Sequence, residues 1–448
     1  MRKSPWYRQM NRYHWLVLLV ASGGWLLDCM DQQFFGLARR PAMLDLLRVR
    51  PGDAAMAGTV TEYAGYATMI FMIGWAAGGV LFGIMGDRLG RVKTMMWSIV
   101  FYSLFTGLSV FSTSVWDFSL YRFLTGLGVG GEFAVGVALV AEVIPAPARP
   151  FALGALQSCS GAGNVIAALI GIGLGNLQEA HIIESSWRAM FVIGALPALL
   201  VIVVMRRLEE PEAWRKAKAE GAAHKVRLGS MAELFSDARW RRNALVGLAL
   251  AFSGVVAIWG IGYFSYDLLS SVIDKTFRAQ GLSESVIAGK KTIWTGITSL
   301  MQNSGAFLGV YAFTYFTQWT SRRRAFAVSL ILAMLTTAFL FWRLNRFSDV
   351  FWMPPLMGFF QLALFAGYAI YFPELFPTRL RSTGTSFCYN VGRAVAAVGP
   401  LGLGLLTSRV YSGPDALRYA GVTMCLVFLI GLAALPFAPE TKGQPLPE

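Results

Sequence analysis

Asp28, Asp31, Arg122, Glu132 and Arg393 fall inside long apolar stretches, where an ionisable side chain is costly and needs a reason. A helix rises about 1.5 Å per residue. Entry near Trp15 therefore puts Asp28 roughly 20 Å along its helix, and entry from the opposite side near Trp116 puts Arg122 about 9 Å below that face. In a hydrocarbon core ~30 Å thick, the two opposite charges sit at similar depth. Such a pair can trade a proton for a salt bridge. The cation favours the ionised carboxylate, while separation and desolvation favour the neutral acid. Asp31 is one turn further along and shares roughly the face of Asp28. A static pair that only orients two helices would use the same residues. Glu132 lies about 15 Å from Arg122 along the same helix and reads either as a second proton site or as a hydrogen-bonded packing residue.

Arg393 sits ~16 Å into its own apolar run, with Asn390 one turn below. A guanidinium holds a carboxylate in a bidentate fork, so this pair points to an anionic ligand. A cross-cavity ion pair with an acid of the first half is the other reading. Gln157, Asn164, Gln302 and Gln361 could complete such a site, although each also suits an interhelical hydrogen bond. Tyr263 could line it, as could Trp25, Trp259 and Tyr266; interfacial or lipid-facing roles fit the same aromatics.

Other chemistries find no support. There is no Walker loop, and the glycine spacing around Gly126–Gly131 lies inside an apolar run rather than after a strand. His14, His181 and His224 are scattered. Cys29, Cys159, Cys388 and Cys425 all sit in apolar runs, which suits packing better than disulfides or metal. No enzyme, metal or cofactor is expected. The net charge of +14 invites a nucleic-acid reading. Most of the Lys and Arg instead gather on one side of the apolar runs, including Arg206, Arg207, Arg215, Lys216, Lys218, Arg241, Arg242 and Arg322–Arg324. That is the positive-inside pattern and places both termini in the cytoplasm, although Arg39, Arg40, Arg48 and Arg50 run against it.

The elements that must position these residues are membrane helices. Residues are 55% hydrophobic and 14% charged, a balance suited to lipid as solvent. Apolar runs recur at 15–36, 60–84, 94–112, 116–141, 151–175 and 188–205. They return at 243–267, 293–316, 325–342, 351–372, 383–407 and 417–437, each long enough to cross a bilayer. The first is too long for a cleaved signal, contains two acids, and reads as a retained span followed by a loop with Pro41 and Pro51. The glycines of the fourth run, among them Gly126, Gly128, Gly130 and Gly131, would let neighbouring backbones approach closely. The polar stretch 206–242 divides six spans from six. Glu142, Pro145 and Arg149 recur at the same intervals as Glu374, Pro377 and Arg381, so the halves look like repeats.

The turn Gly83-Ile-Met-Gly86-Asp87-Arg88-Leu-Gly90-Arg91-Val-Lys93 resembles the signature loop between helices 2 and 3 of the major facilitator superfamily. Tyr121-Arg122-Phe-Leu-Thr-Gly126-Leu-Gly128-Val-Gly130-Gly131-Glu132 is similar to that family's helix 4. Trp25-Leu-Leu-Asp28-Cys-Met-Asp31, Glu374-Leu-Phe-Pro377-Thr-Arg379-Leu-Arg381 and Tyr389-Asn390-Val-Gly392-Arg393 resemble the metabolite, sialic-acid and aromatic-acid proton symporters. Glu210-Pro211-Glu212-Ala-Trp214 and Pro439-Glu440-Thr441-Lys442-Gly443 are similar to sugar-porter tails. The resemblance implies an all-α membrane protein of twelve transmembrane helices in two pseudo-symmetric bundles, 1–205 and 243–448, joined by a cytoplasmic linker 206–242. It implies Asp28 and Arg122 in proton coupling, to which Asp31 and Glu132 are added by their positions on the same helices. A cytoplasmic gate would be built from Asp87, Arg88, Arg91, Glu142, Arg149, Glu374 and Arg381. The second copy of the signature loop has decayed to Thr317-Gln-Trp-Thr-Ser-Arg322-Arg323-Arg324, so its gate would rest on those arginines with other partners.

The expected protein is a monomeric, multi-pass carrier of the inner membrane that moves a small organic anion together with protons by alternating access. A sugar or polyol porter is the alternative within transport. A substrate-sensing receptor on the same scaffold is the alternative outside it.

Overall fold

A computed structural model of the chain describes residues 5–49, 57–179, 182–196, 198–199, 207–224, 228–282, 284–396, 398–411 and 415–447. Among these residues the regular structure is helical throughout. By length and composition, nine helices are able to cross a bilayer among the described residues. They coincide with nine of the expected spans. The expected run 293–316 lies within the helix Glu284–Trp319. The expected run 383–407 is a succession of short helical pieces with π-helical turns at Phe387–Val391 and Leu406–Val410. The run 188–205 is described only at its start, Ser186–Gly194, because most of the rest lies outside the described residues.

Two compact units emerge. One comprises Met1–Trp240, Phe372–Val391 and Pro445–Glu448; the other comprises Arg241–Tyr371 and Gly392–Gln444. Within the first unit the principal helices are α1 (Arg12–Leu46), α2 (Ala57–Arg88), α3 (Arg91–Leu108), α4 (Val115–Val143), α5 (Arg149–Glu179) and α6 (Ser186–Gly194). α1 corrects the expected loop: it runs through Pro41 to Leu46, beyond the apolar run. Its extension is tied down by Asp45, which accepts from the Trp187 indole at 3.2 Å and from Arg188 at 3.1 Å. Pro51 lies outside the described residues. In the polar stretch 206–242, charge alternation resolves into the helices Glu212–His224 and Met231–Ser236.

Glycine sets the packing of α2 on α4. A Cβ at Gly74 or Gly78 would overlap the carbonyls of Phe123 or Leu127, and one at Gly126 or Gly130 would overlap those of Phe71 or Trp75. Each backbone thus lies in the other's groove, a contact worth dispersion energy only while no side chain intervenes. The second unit repeats the device between Glu284–Trp319 and Met353–Tyr371: Gly305 meets Pro355, Gly309 meets Phe359, and Gly358 meets Gln302.

A further repeat lies at two helix N-termini. Glu210 accepts from the backbone N–H groups of Val92 and Lys93 at 3.2 and 3.1 Å. Glu440 accepts from those of Arg322 and Arg323 at 2.9 and 3.2 Å. A carboxylate at the positive end of a helix satisfies orphan donors and the helix dipole together. The tail motifs therefore cap the helix that follows each signature loop.

Candidate functional site

The charged residues of α1 and α4 meet beside α3 inside the first unit. Asp28, Asp31 and Arg122 are all fully buried. The sequence reading paired Arg122 with the depth of Asp28; the ion pair seen is with Asp31, at 3.8 Å. Helix register explains the difference. Gly24 lies against Glu132, Trp25 packs on Phe133 and Phe35 packs on Phe118, so antiparallel α4 brings Arg122 opposite the turn beyond Asp31. Asp28 accepts from Gln32 at 3.3 Å.

The Asp31–Arg122 pair is loose. Asp31 takes a hydrogen bond from the Thr106 hydroxyl at 2.9 Å, while Arg122 donates to the Ser109 hydroxyl at 2.8 Å. Arg122 also lies over the ring of Phe191 at 4.4 Å, with Phe35 and Phe118 at 5.8 and 5.9 Å. Cation–π contact strengthens when desolvated. The guanidinium therefore has holds that do not depend on the acid. Sequence reasoning missed Thr106, Ser109 and Phe191, because none of them interrupts an apolar run.

Glu132 is 1% exposed, and both of its carboxylate oxygens are buried without a hydrogen-bond partner among the described residues.

A second cluster closes the end of the unit that carries Asp87. The Asp87 carboxylate receives the backbone N–H groups of Ser382 and Thr383 at 3.1 and 2.8 Å, the Thr383 hydroxyl at 2.6 Å and the Arg91 guanidinium at 2.9 Å. Arg91 also donates to Glu142 at 2.9 Å, to the Thr378 carbonyl at 2.6 Å and to the Gly86 carbonyl at 2.5 Å. Glu142 accepts from Arg381 at 2.7 Å, and Arg381 donates further to the carbonyls of Pro373 and Pro447. The side chains of Asp87, Arg91 and Glu142 are wholly buried. Of the expected gate residues, Asp87, Arg91, Glu142 and Arg381 thus form one network joining α2, α3 and α4 to 378–383. Arg88 turns away to the Leu228 carbonyl. Arg149 and Glu374 are both partly exposed.

The expected ligand residues divide between the units. In the first, Asn390 is 1% exposed and donates to the Gly130 carbonyl at 3.2 Å and to Ser386 at 3.0 Å. Gln157 is buried, its Oε1 without a hydrogen-bond partner among the described residues, and Asn164 is partly exposed on α5. In the second, Arg393 is 6% exposed on Gly392–Ala396. Gln361 donates to Thr337 at 2.9 Å, and Gln302 accepts from Tyr266 at 2.9 Å. Those two glutamines act as interhelical hydrogen-bonders here. The Tyr263 side chain lies outside the described part of the chain.

Comparison with known proteins follows this geometry. The family model described as Major Facilitator Superfamily matches residues 53–354. A probable 4-methylmuconolactone transporter of Cupriavidus pinatubonensis is 28% identical over 442 residues, covering 98% of this chain and 93% of that protein. A cis,cis-muconate transport protein of Acinetobacter baylyi is 25% identical over 389 residues, covering 86% and 87%. The solved proton:xylose symporter XylE, bound to 6-bromo-6-deoxy-D-glucose, superposes with a TM-score of 0.72 at 17% identity, covering 97% of this chain and 98% of that one. At that identity the likeness shows the fold alone.

Proposed function

The chain belongs to the Major Facilitator Superfamily of membrane transporters, and we propose that it is a proton symporter for a small organic anion, a carboxylate metabolite. The observation that carries this reading is the 3.8 Å gap between Asp31 and Arg122 in a fully buried setting. A static buried ion pair stabilises only with close, saturated geometry. Here Arg122 keeps Ser109 and Phe191 whether or not Asp31 is charged. Asp31 can therefore take up a proton without leaving a bare guanidinium, and Asp28, one turn away, extends the same acidic face.

An anionic cargo is supported by Arg393, a buried guanidinium on the helix after the Phe387–Val391 π turn, and by the names of the two transport relatives. In the first unit, Asn390, Gln157 and Asn164 are the further candidates for cargo contact. Alternating access requires the Asp87–Arg91–Glu142–Arg381 network to form in one state and break in the other. By the distribution of Lys and Arg, that network lies on the cytoplasmic side of the inner membrane, with both termini there, and the working unit is a monomer.

The experiment is uptake of labelled cis,cis-muconate and of xylose into proteoliposomes under an imposed inward proton gradient. Saturable, gradient-driven uptake of the dicarboxylate that falls at least about tenfold in Arg393→Ala supports the reading, a loss equivalent to one charge-assisted hydrogen bond. Saturable xylose flux indifferent to that substitution would replace it with the sugar-porter reading.

A further inference from the structure

Two cations stand at the unexpected end of α1. Arg39 and Arg40 run against the one-sided distribution of Lys and Arg that orients such a chain, and neither the buried acid pair nor the gate network uses them. Both are exposed, on the part of α1 that continues past its apolar run. Arg39 donates across to the Thr68 hydroxyl of α2 at 3.4 Å. Thr68 lies about 30 Å along α2 from Arg88, so the two arginines sit at the end of the unit opposite the Asp87 network. Arg39 also falls about three turns beyond Asp28 on the same face of α1, roughly 12 Å past Asp31.

Their charge is not neutralised locally. Among the described residues, neither arginine takes part in an ion pair. Three acids at this end of the unit have described side chains. Asp45 is engaged by the Trp187 indole and by Arg188. Asp117 accepts from the backbone N–H groups of Thr113, Ser114 and Phe118 at the start of α4. Glu184 is exposed on the segment between α5 and α6. The Asp45 contacts also hold the α1 extension in place, so the arginines ride on a fixed helix end.

Uncompensated guanidinium groups facing water attract anions and match a carboxylate in shape. We propose that Arg39 and Arg40 form an outer capture site for the carboxylate groups of the cargo, met before the buried residues below. The inference rests on the organic-anion reading and adds a point of entry to it. Such a site acts on arrival, and its pull fades as salt screens it. A lipid phosphate has the same chemistry and is the occupant the experiment must exclude.

The test is exchange of labelled cis,cis-muconate in right-side-out and inverted membrane vesicles preloaded with the unlabelled acid. Arg39→Gln combined with Arg40→Gln should raise the external KM about tenfold at low salt and leave the maximal rate unchanged. The rise should shrink to about twofold or less near 1 M salt, where the screening length is ~3 Å. In inverted vesicles the KM should not move. Arg39→Lys with Arg40→Lys, which keeps both charges, should restore the wild-type value. An unchanged external KM, or a rise that salt does not diminish, overturns the proposal. Loss of bound anionic lipid in native mass spectrometry with KM unchanged overturns it in favour of the bilayer. Should the double variant fail to fold, Arg40→Gln and the salt dependence of the wild-type KM decide. Wild-type vesicles that exchange no muconate would remove the anion reading as well; exchange with an unmoved KM would remove only this site.

Discussion

The guanidinium of Arg122 stands 3.8 Å from the carboxylate of Asp31, closer to the Ser109 hydroxyl and cradled on the face of Phe191. Removing either partner should therefore have unequal effects. Arg122→Ala leaves a buried acid without its cation and is expected to cost about 3–5 kcal/mol. Asp31→Asn leaves Arg122 its hydroxyl and aromatic holds and should cost roughly 1 kcal/mol. Thermal unfolding of the two variants in the same lipid checks the order; equal losses would mean that the pair is an ordinary static bridge.

Glu142 binds both Arg91 and Arg381. Glu142→Gln strips the charge between two buried guanidinium groups, so the closed network should weaken by about 3–5 kcal/mol. Ser382→Cys, at a buried position, reports on this. Its alkylation by a membrane-impermeant maleimide should quicken at least about tenfold when Glu142→Gln is added, since each 1.4 kcal/mol is a factor of ten in the open population. Unchanged labelling would remove this cluster from the gate.

The close approach of α2 and α4 depends on glycine. Gly78→Val, and Gly309→Val in the second unit, should abolish or sharply reduce the yield of folded protein, because each side chain would enter a helix backbone. Gly161→Ala and Gly173→Ala, which meet nothing nearby, should shift stability by less than about 0.5 kcal/mol. Size-exclusion yield from membranes separates the two classes.

Much of this architecture was legible because lipid makes hydropathy decisive: each apolar run long enough to span had to fold as a helix. The glycines of α4 and the paired Glu142 and Glu374 motifs likewise revealed close packing and repetition. The choice of Asp31 over Asp28 was not legible, since it depends on the register of α1 against α4, set by Gly24, Phe35 and Phe118. The extension of α1 past Pro41 depends on Trp187 and Arg188, far along the chain. The tail acids Glu210 and Glu440 were visible as motifs, but their task as helix caps needs the backbone donors of Val92 and Arg322.

Glu440 offers a pH signature outside the membrane. Burial works against its charge, yet the backbone N–H groups of Arg322, Lys442 and Arg323 outweigh it and hold the carboxyl below its ordinary range. A group that binds protons less tightly when folded stabilises above its unfolded value, about 4.3 for Glu, and loses that contribution as pH falls through the folded value. Glu440→Gln should therefore lower the unfolding midpoint at pH 7 and flatten the acid-side decline below about pH 4.3. The residue as a whole is exposed, so the effect should stay under about 1 kcal/mol. Parallel melting curves at pH 7 and below would show it.

The central claim is that protons move with cargo through the buried acids of α1. The most direct measurement is internal pH in proteoliposomes loaded with a fluorescent indicator, after cis,cis-muconate is added outside with no imposed gradient. Wild-type protein should acidify the lumen as the dicarboxylate enters, and Asp31→Asn should still exchange labelled muconate yet acidify at least about tenfold less. Muconate entry without acidification in the wild type, or acidification undiminished in Asp31→Asn, would contradict the account.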